Sequence, residues 1–290
     1  MTRSSSILRG ELQELLAEPH LDLAAAALVV ARIEDRALDP SATVRQLDRW
    51  AALAQDQLNR LPGADASLRA RLEILNRVLY VDAGLDGNRA HYNDFRNSLF
   101  NLVVERRLGI PISLALVYME VARRCGIEMF GVSFPGHFLV RVPDDAGRDD
   151  DAVILDPFNG GREMNESDCL DLLQRHLGDN AQFELGLLRP CSGRQMLARM
   201  LNNLKRVYIE LRSFPQAHLA TDLLLTVEPT FGSELRDRGL IAYHLDHYAA
   251  ALRDLEQYMR LRNWSDADRD EHQHVREHVK TLRAKLAGLN

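Results

Sequence analysis

The chain has 290 residues, enough for one large domain or two ordinary ones, and its 46% hydrophobic share is that of a globular protein with a real core. Its 36 basic and 42 acidic residues give a net charge of −6, which argues against broad electrostatic binding of nucleic acid or of an anionic membrane. No segment approaches the ~18 apolar residues of a membrane helix, and the first residues carry charges where a signal peptide needs an apolar stretch. We therefore expect a cytoplasmic protein.

The sequence lacks the usual patterns of a metal site or a disulfide framework. Cys125, Cys169 and Cys191 are too scattered for a CxxC motif or for disulfide pairing. The aspartates of segment 143–151 do not have the spacing of a calcium loop and predict a solvated hairpin tip. Five histidines are spread over predicted helices without a carboxylate or cysteine pattern: His244, His247, His272, His274 and His278. The sequence therefore predicts no metal and no cofactor.

The first half of the chain has helical periodicity. Apolar stripes predict helices from residue 7 to about 80, whereas segment 81–95 is rich in Gly, Asp and Asn and predicts a loop. A helix is predicted over 97–107. Another, over 111–125, begins with a proline and ends before Gly126, which suits a C-cap. Apolar residues cover most of the circumference of this last helix, so we expect it to be central and buried.

The pattern then changes to that of strands. Residues 127–134, 137–142 and 152–155 predict three strands, the second and third joined as a hairpin by a polar connection. Residues 166–177 predict a helix. A Pro-Cys-Ser-Gly break at 190–193 places a domain boundary near residue 190, which divides the chain into domains 1–190 and 191–290.

A 34-residue self-similarity marks the last third of the chain. Four pairs of residues share that offset: Leu211 and Leu245, Phe214 and Tyr248, Ala217 and Ala251, and Pro229 and Asn263. This period is that of tetratricopeptide units, each a helical hairpin that cannot bury its apolar face alone. A helix predicted over 266–287 would cap the units. Because such repeats usually hold protein segments, we expect a protein or peptide partner.

A histidine and an aspartate are predicted to meet in the hairpin. If Val142 and Asp151 flank its tip, His137 lies directly opposite Asp156, and residues so placed have Cβ atoms ~4.5–5.5 Å apart. The aspartate can then accept the imidazole N–H and fix its tautomer, as the third member of a catalytic triad does. The N-terminus of the preceding buried helix carries partial positive charge and offers Ser113 as the nucleophile.

The same residues also have structural interpretations. Ser113 is equally suited to satisfy backbone groups in the first helical turn. His137 and Asp156 are equally suited to form a structural hydrogen bond at the mouth of the hairpin. Cys125 lies at the wrong end of its helix for activation by the helix dipole and is predicted to be a core thiol. The position of the Ser113 hydroxyl decides between the two sets of interpretations.

Several segments together resemble the SirB-type bacterial proteins, which combine a transglutaminase-like core with C-terminal tetratricopeptide repeats. The resemblance runs from about residue 20 to residue 285 and is carried by GIPISL, FPGHFLVRV, ILDPFNGG, RQMLARMLNNLKRVY and ELRDRGLIAYHLDHYAAALRDLE. It implies an α+β, papain-like core with helices before it, a small antiparallel sheet, and an all-α repeat region after it. His137 and Asp156 fall on the family's His and Asp positions. The superfamily uses cysteine at the helix start, and here Ser113 is the nearest residue able to act as a nucleophile.

Two functions follow from this resemblance. The first is a non-catalytic interaction or regulatory protein, a pseudoenzyme whose cleft and repeats bind a protein segment, since serine lacks the thiolate of a Cys–His pair. The alternative is a serine-dependent hydrolase or acyltransferase, with Ser113 as nucleophile, His137 as base and Asp156 orienting it. A hydroxyl in reach of His137 favours the enzyme, whereas a hydroxyl buried on backbone favours the scaffold.

Overall fold

The computed structural model of the chain describes residues 3–63, 67–144, 152–230, 232–261 and 268–288. It is mainly helical with a small antiparallel sheet, which confirms the predicted α+β class. The helices are α1 (Arg3–Ala17), α2 (Leu23–Ala31), α3 (Ser41–Leu58), α4 (Leu68–Asn76), α5 (Phe100–Arg106), α6 (Pro111–Arg124), α7 (Glu166–Leu177), α8 (Gly193–Glu210), α9 (Phe214–Val227), α10 (Gly232–His244), α11 (Tyr248–Leu261) and α12 (Arg269–Ala287). The strands are β1 (Asp86–Gly87), β2 (Leu108–Gly109), β3 (Phe130–Val132), β4 (Leu139–Val142), β5 (Val153–Asp156) and β6 (Arg162–Met164).

The chain forms two compact units. The core unit comprises His20–Ala31 and Ala37–Met200, and the repeat unit comprises Met1–Pro19, Arg32–Arg36 and Leu201–Asn290. Helix α1 thus belongs to the same unit as the repeats, where it packs on α9. The division into domains at residue 190 stays a prediction.

The core unit is built around a four-stranded antiparallel sheet of order β3-β4-β5-β6. One face packs on α7, where Leu139 and Ile154 join a cluster with Leu172. The alternate residues Val140 and Leu155 are also buried, and α6 packs against β3 and β4. Because both faces are covered, β5 is buried along its whole length.

Helix α6 is the predicted central helix. Its first residue is Pro111, which fits a position where no backbone N–H is needed. Its apolar side chains are buried on nearly every side, from Ile112 to Ala122. Gly126 follows with φ +74°, the left-handed conformation that glycine adopts without steric cost. The sequence therefore predicted this helix and its ends correctly.

The predicted hairpin register is wrong by two residues. Val142 pairs with Val153, and Val140 with Leu155. The prediction placed Asp151, which lies outside the described residues together with 145–150, opposite Val142. The buried strand instead extends through the apolar run to Asp156, so that an apolar residue rather than an aspartate lies opposite Val142. The connection at the tip is consequently longer than predicted.

Other differences concern short elements. Segment 81–95, predicted as loop, contains β1, which pairs in parallel with β2. A π-helical turn, Arg77–Asp82, continues α4 into this segment. Strand β6 also was not predicted. Strands of two or three residues are too short to show a period in the sequence.

The repeat unit has the predicted 34-residue period. Helices α9 and α11 both begin and end 34 residues apart, at Phe214 and Tyr248 and at Val227 and Leu261. Ala217 and Ala251 are fully buried at equivalent places, as predicted. Asn263, predicted to match Pro229, lies outside the described residues, as do residues 266 and 267 of the predicted capping helix.

Within the described residues, no helix is both long and apolar enough to cross a membrane.

Candidate functional site

His137 and Asp156 meet inside the core unit. The imidazole Nε2 lies 2.9 Å from Asp156 Oδ1, and the two residues are only 6% and 1% exposed. This contact confirms the prediction although the register was wrong, because a shift of two residues keeps a side chain on the same face of a sheet. The two residues are diagonal rather than direct neighbours. The far nitrogen of the ring therefore makes the bond.

Asp156 is held as a carboxylate by several donors. Its Oδ1 accepts the backbone N–H of Phe158 at 3.0 Å, and its Oδ2 accepts the amide of Asn159 at 2.6 Å. Burial alone would raise the pKa of Asp156, but the bonds from His137, Asn159 and Phe158 hold it below its ordinary value. A carboxylate only accepts hydrogen bonds, so Nε2 of His137 carries the proton and Nδ1 is left as the basic nitrogen.

A second histidine lies beside this pair. The ring of His176, on α7, stacks at 6.4 Å from that of His137, and the ring of Phe158 meets His137 edge-on at 5.8 Å. Burial, together with His137 and Arg175, lowers the pKa of His176 and favours its neutral form. Sequence reasoning missed His176. In the structure Gly136 approaches its ring so closely that a Cβ there would lie 2.3 Å from Cγ, but the sequence shows only a glycine at this position.

Arg199 on α8 fixes the turn that carries His137. Its guanidinium donates to Ser133 Oγ at 2.7 Å, to the Phe134 carbonyl at 3.0 Å and to the His137 carbonyl at 2.6 Å. Burial lowers its pKa, but a guanidinium stays charged at neutral pH. Arg199 could not be assigned to the site from the sequence, because it lies 62 residues after His137.

The turn after Asp156 is anchored from the helical side of the core unit. Tyr80 donates to the Pro157 carbonyl at 2.8 Å. Tyr118 on α6 donates to the Asn76 side-chain oxygen at 2.8 Å, and the Asn76 amide donates to the Gly161 carbonyl at 3.0 Å. Gly161 has φ +70°, and a Cβ there would collide with Asn76. Burial raises the pKa of both tyrosines, so they remain neutral donors.

Ser113 is not in contact with this pair. It is fully buried, and its hydroxyl donates to the Asn97 carbonyl at 2.7 Å. The same oxygen accepts the N–H of Ile110 at 3.0 Å, so the side chain caps the start of α6. In the described part of the chain, no hydrogen bond joins Ser113 to His137. The structure thus brings two of the three predicted site residues together and gives Ser113 a backbone role.

The three cysteines of the chain are free thiols. Cys169 is fully buried, and burial, with Asp168, Asp156 and Glu166 nearby, raises its pKa to about 11. Burial also raises the pKa values of Cys125 and Cys191. All three thiols are therefore protonated at neutral pH, where only the thiolate is a strong nucleophile. Among the described residues, no group of three or more His, Cys, Asp and Glu side chains is placed to hold a metal ion.

The comparisons with known proteins match this architecture. Residues 41–202 match the transglutaminase-like superfamily, and residues 204–284 match a tetratricopeptide repeat. The fold and its His–Asp pair therefore define a transglutaminase-like protein with a tetratricopeptide region. The chain belongs to the UPF0162 family, since it is 38% identical to a UPF0162 protein of Xylella fastidiosa over 244 residues, 83% of this chain and 84% of the relative. This confirms the resemblance to SirB-type proteins.

Two further relatives extend the comparison. A UPF0162 protein of Pseudomonas aeruginosa is 31% identical over 248 residues, covering 86% of this chain and 87% of the relative. F-box only protein 21 of Mus musculus is 31% identical over 182 residues, which are 60% of this chain but only 28% of that protein. The likeness to F-box only protein 21 therefore concerns only a part of that longer protein.

Proposed function

We propose that this protein is a non-catalytic interaction or regulatory protein, in which a transglutaminase-like scaffold and its repeats bind a segment of a partner protein. The observation that carries the proposal is the position of the Ser113 hydroxyl. Its proton is shared between the Asn97 carbonyl at 2.7 Å and the Ile110 carbonyl at 3.1 Å, and the group is buried from solvent. A nucleophile must instead face its substrate and give its proton to a base within ~3.2 Å.

The His–Asp pair is consistent with a structural role. Asp156 is the acceptor for three donors, one from His137 and two from the turn that follows. Arg199 and Tyr80 fix the backbone on either side of the pair. The pair thereby joins β5 to the turn before β4. We propose that its function in this chain is to order these turns rather than to activate a nucleophile.

The repeat region supports the interaction role. Tetratricopeptide units present helical faces that hold protein segments, and they need neither cofactor nor nucleophile to do so. The alternative, a serine-dependent hydrolase or acyltransferase, would require the Ser113 hydroxyl to break its three backbone hydrogen bonds and become exposed. No contact of Ser113 in the described residues favours that alternative.

The test of chemistry uses the full-length protein with fluorophosphonate and ester probes. We expect no labelling and no turnover, for the wild type as for Ser113→Ala and His137→Ala. Labelling of the wild type that is lost in both variants would overturn the proposal and make the protein a serine hydrolase.

The test of binding uses cross-linking and mass spectrometry with the full-length protein as bait in its native lysate. Full-length point variants are preferable to a truncation at residue 191, because that truncation removes α8 and with it Arg199. We expect a specific partner that is captured equally by wild type and Ser113→Ala. If no protein is enriched over an unrelated bait of equal charge, the interaction role fails.

A further inference from the structure

A basic groove runs between α11 and α12 in the repeat unit. It has a volume of about 860 Å³, and Met259 and Val279 contribute apolar surface to it. Five cationic side chains line it: Arg260, Arg269, Arg276, Lys280 and Arg283. Among the described residues that line the groove, two carry carboxylates, Glu256 and Glu277. The groove is therefore locally positive on a chain whose net charge is −6.

The cations of α12 form a continuous stripe. Arg269, Arg276, Lys280 and Arg283 are separated by seven, four and three residues. With 3.6 residues per turn, these spacings place all four side chains on one face of the helix. At 1.5 Å per residue the stripe is about 21 Å long. Arg260, one helical turn after Glu256 on α11, faces it from the other side. An extended ligand along the groove would meet positive charge over this whole length.

The described residues do not neutralise part of this charge. Arg283 donates to Glu256 at 2.6 Å, and Glu277 accepts a hydrogen bond from Gln273 at 3.2 Å. In contrast, the described residues provide no ion-pair partner for Arg260, Arg276 and Lys280, all three of which are exposed. These three side chains are free to pair with carboxylates of another molecule.

We propose that the groove between α11 and α12 binds an extended acidic segment of a partner protein, whose carboxylates pair with Arg260, Arg276 and Lys280. An extended chain advances at most ~3.3–3.6 Å per residue, so about six residues span the stripe. The apolar surface of Met259 and Val279 suits aliphatic side chains between the carboxylates. Such surface and the overall negative charge favour a peptide over a nucleic-acid backbone. This inference rests on the proposed function and names the chemistry of the partner.

The test measures binding of fluorescein-labelled peptides to the full-length protein by fluorescence anisotropy at about 0.15 M salt. The probe is a ten-residue peptide of alternating Glu and Leu, and its control has Gln in place of Glu. The double variant Arg276→Glu and Lys280→Glu removes the centre of the stripe, and Arg276→Gln with Lys280→Gln removes its charge without reversing it. The matched control, Arg206→Glu with Arg253→Glu, makes two charge reversals at exposed sites that do not line the groove. Thermal midpoints check that every variant is folded.

We expect the acidic peptide to bind at least tenfold more tightly than the Gln peptide, because the Gln peptide cannot form the several exposed ion pairs, each of modest strength, that the Glu side chains make. The double reversal in the groove should weaken binding about tenfold or more, the double Gln variant less, and the matched control less than twofold. Equal binding by wild type and double reversal, or no binding of the acidic peptide, would overturn the inference. The inference would also be overturned if a single-stranded oligonucleotide bound the wild type more tightly than the acidic peptide does and the double reversal abolished that binding. If the cross-linked partner is still captured in these cases, only the inference has failed and the proposed interaction function stands.

Discussion

Replacing Ala251 by glutamate tests the packing of the repeat unit. Ala251 is fully buried in a cluster that includes Leu255 and Leu282. Helices α10 and α11 approach closely at Gly239, where an added Cβ would lie 2.8 Å from Leu255 and 3.3 Å from the Ala251 carbonyl. A longer side chain at position 251 must therefore push the helices apart or bury its charge.

The arginine on the facing helix is already paired. Arg238, on the facing helix α10, already donates to Asp222 at 2.7 Å and to Asp254 at 2.6 Å. An unpaired carboxylate in an apolar cluster, added to overpacking, costs about 3 kcal/mol or more. We expect Ala251→Glu to lose that amount of unfolding free energy, a large share of the ~5–15 kcal/mol that stabilises an ordinary domain.

The assay is urea denaturation of the full-length protein, in which circular dichroism and intrinsic fluorescence both monitor unfolding. Ala249→Glu is the matched control, because it makes the same substitution on the same helix at an exposed position near the N-terminus. There a carboxylate is neutral to slightly stabilising, so we expect a change within about 0.5 kcal/mol. Equal denaturation midpoints for Ala251→Glu and the wild type would refute the packing described for the repeats.

Three further predictions concern the core unit. Folding lowers the pKa of Asp156, so its ionised carboxylate stabilises the fold above pH ~4, and this stability is lost as the pH falls below that value. In Asp156→Asn the urea denaturation midpoint should therefore fall less between pH 6 and pH 2 than it does in the wild type. Gly136→Ala should cost about 2 kcal/mol or more, because φ is +68° and the new Cβ meets His176, whereas Gly160→Ala, with φ +75° and open space, should cost about 1 kcal/mol. Ser113→Ala should cost about 1–3 kcal/mol by leaving buried backbone groups unpaired.

Elements with a long period were predictable from the sequence, and short or tertiary ones were not. The 34-residue offset paired residues that begin α9 and α11, Phe214 and Tyr248, since each repeat must present the same apolar face to its neighbour; it did not give the ends of the helices. The proline and glycine at the ends of α6 located that helix. In contrast, β1, β2 and β6 have two or three residues each, which is less than a detectable alternation.

The His–Asp contact was predicted from a register that proved wrong, and the reason is physical. Successive side chains of a strand alternate between its two faces, so the face repeats every two residues. The predicted register was wrong by two residues, which is one whole repeat. His137 and Asp156 therefore stayed on one face, while the register depended on where the polar connection of segment 143–151 begins and ends in the sequence. An error of one residue would have separated His137 from Asp156 on opposite faces. The residues that support the pair, His176 and Arg199, come from α7 and α8 and had no such constraint to reveal them.

Ser113 shows where sequence reasoning stops. A serine in the first turn of a helix is favoured both as a cap and as a nucleophile placed in the positive end of the dipole, so its position alone does not separate the two. The Asn97 carbonyl, which lies 16 residues before Ser113, accepts a hydrogen bond from the Ser113 hydroxyl and so assigns the serine to the backbone. A buried turn places this carbonyl beside Ser113, and in that turn the Asn88 amide donates to the Asn97 side chain at 3.0 Å. That turn is held by side-chain amides rather than by an apolar pattern. The assignment of the Ser113 hydroxyl to backbone groups thus depends on a tertiary contact that the sequence around Ser113 does not contain.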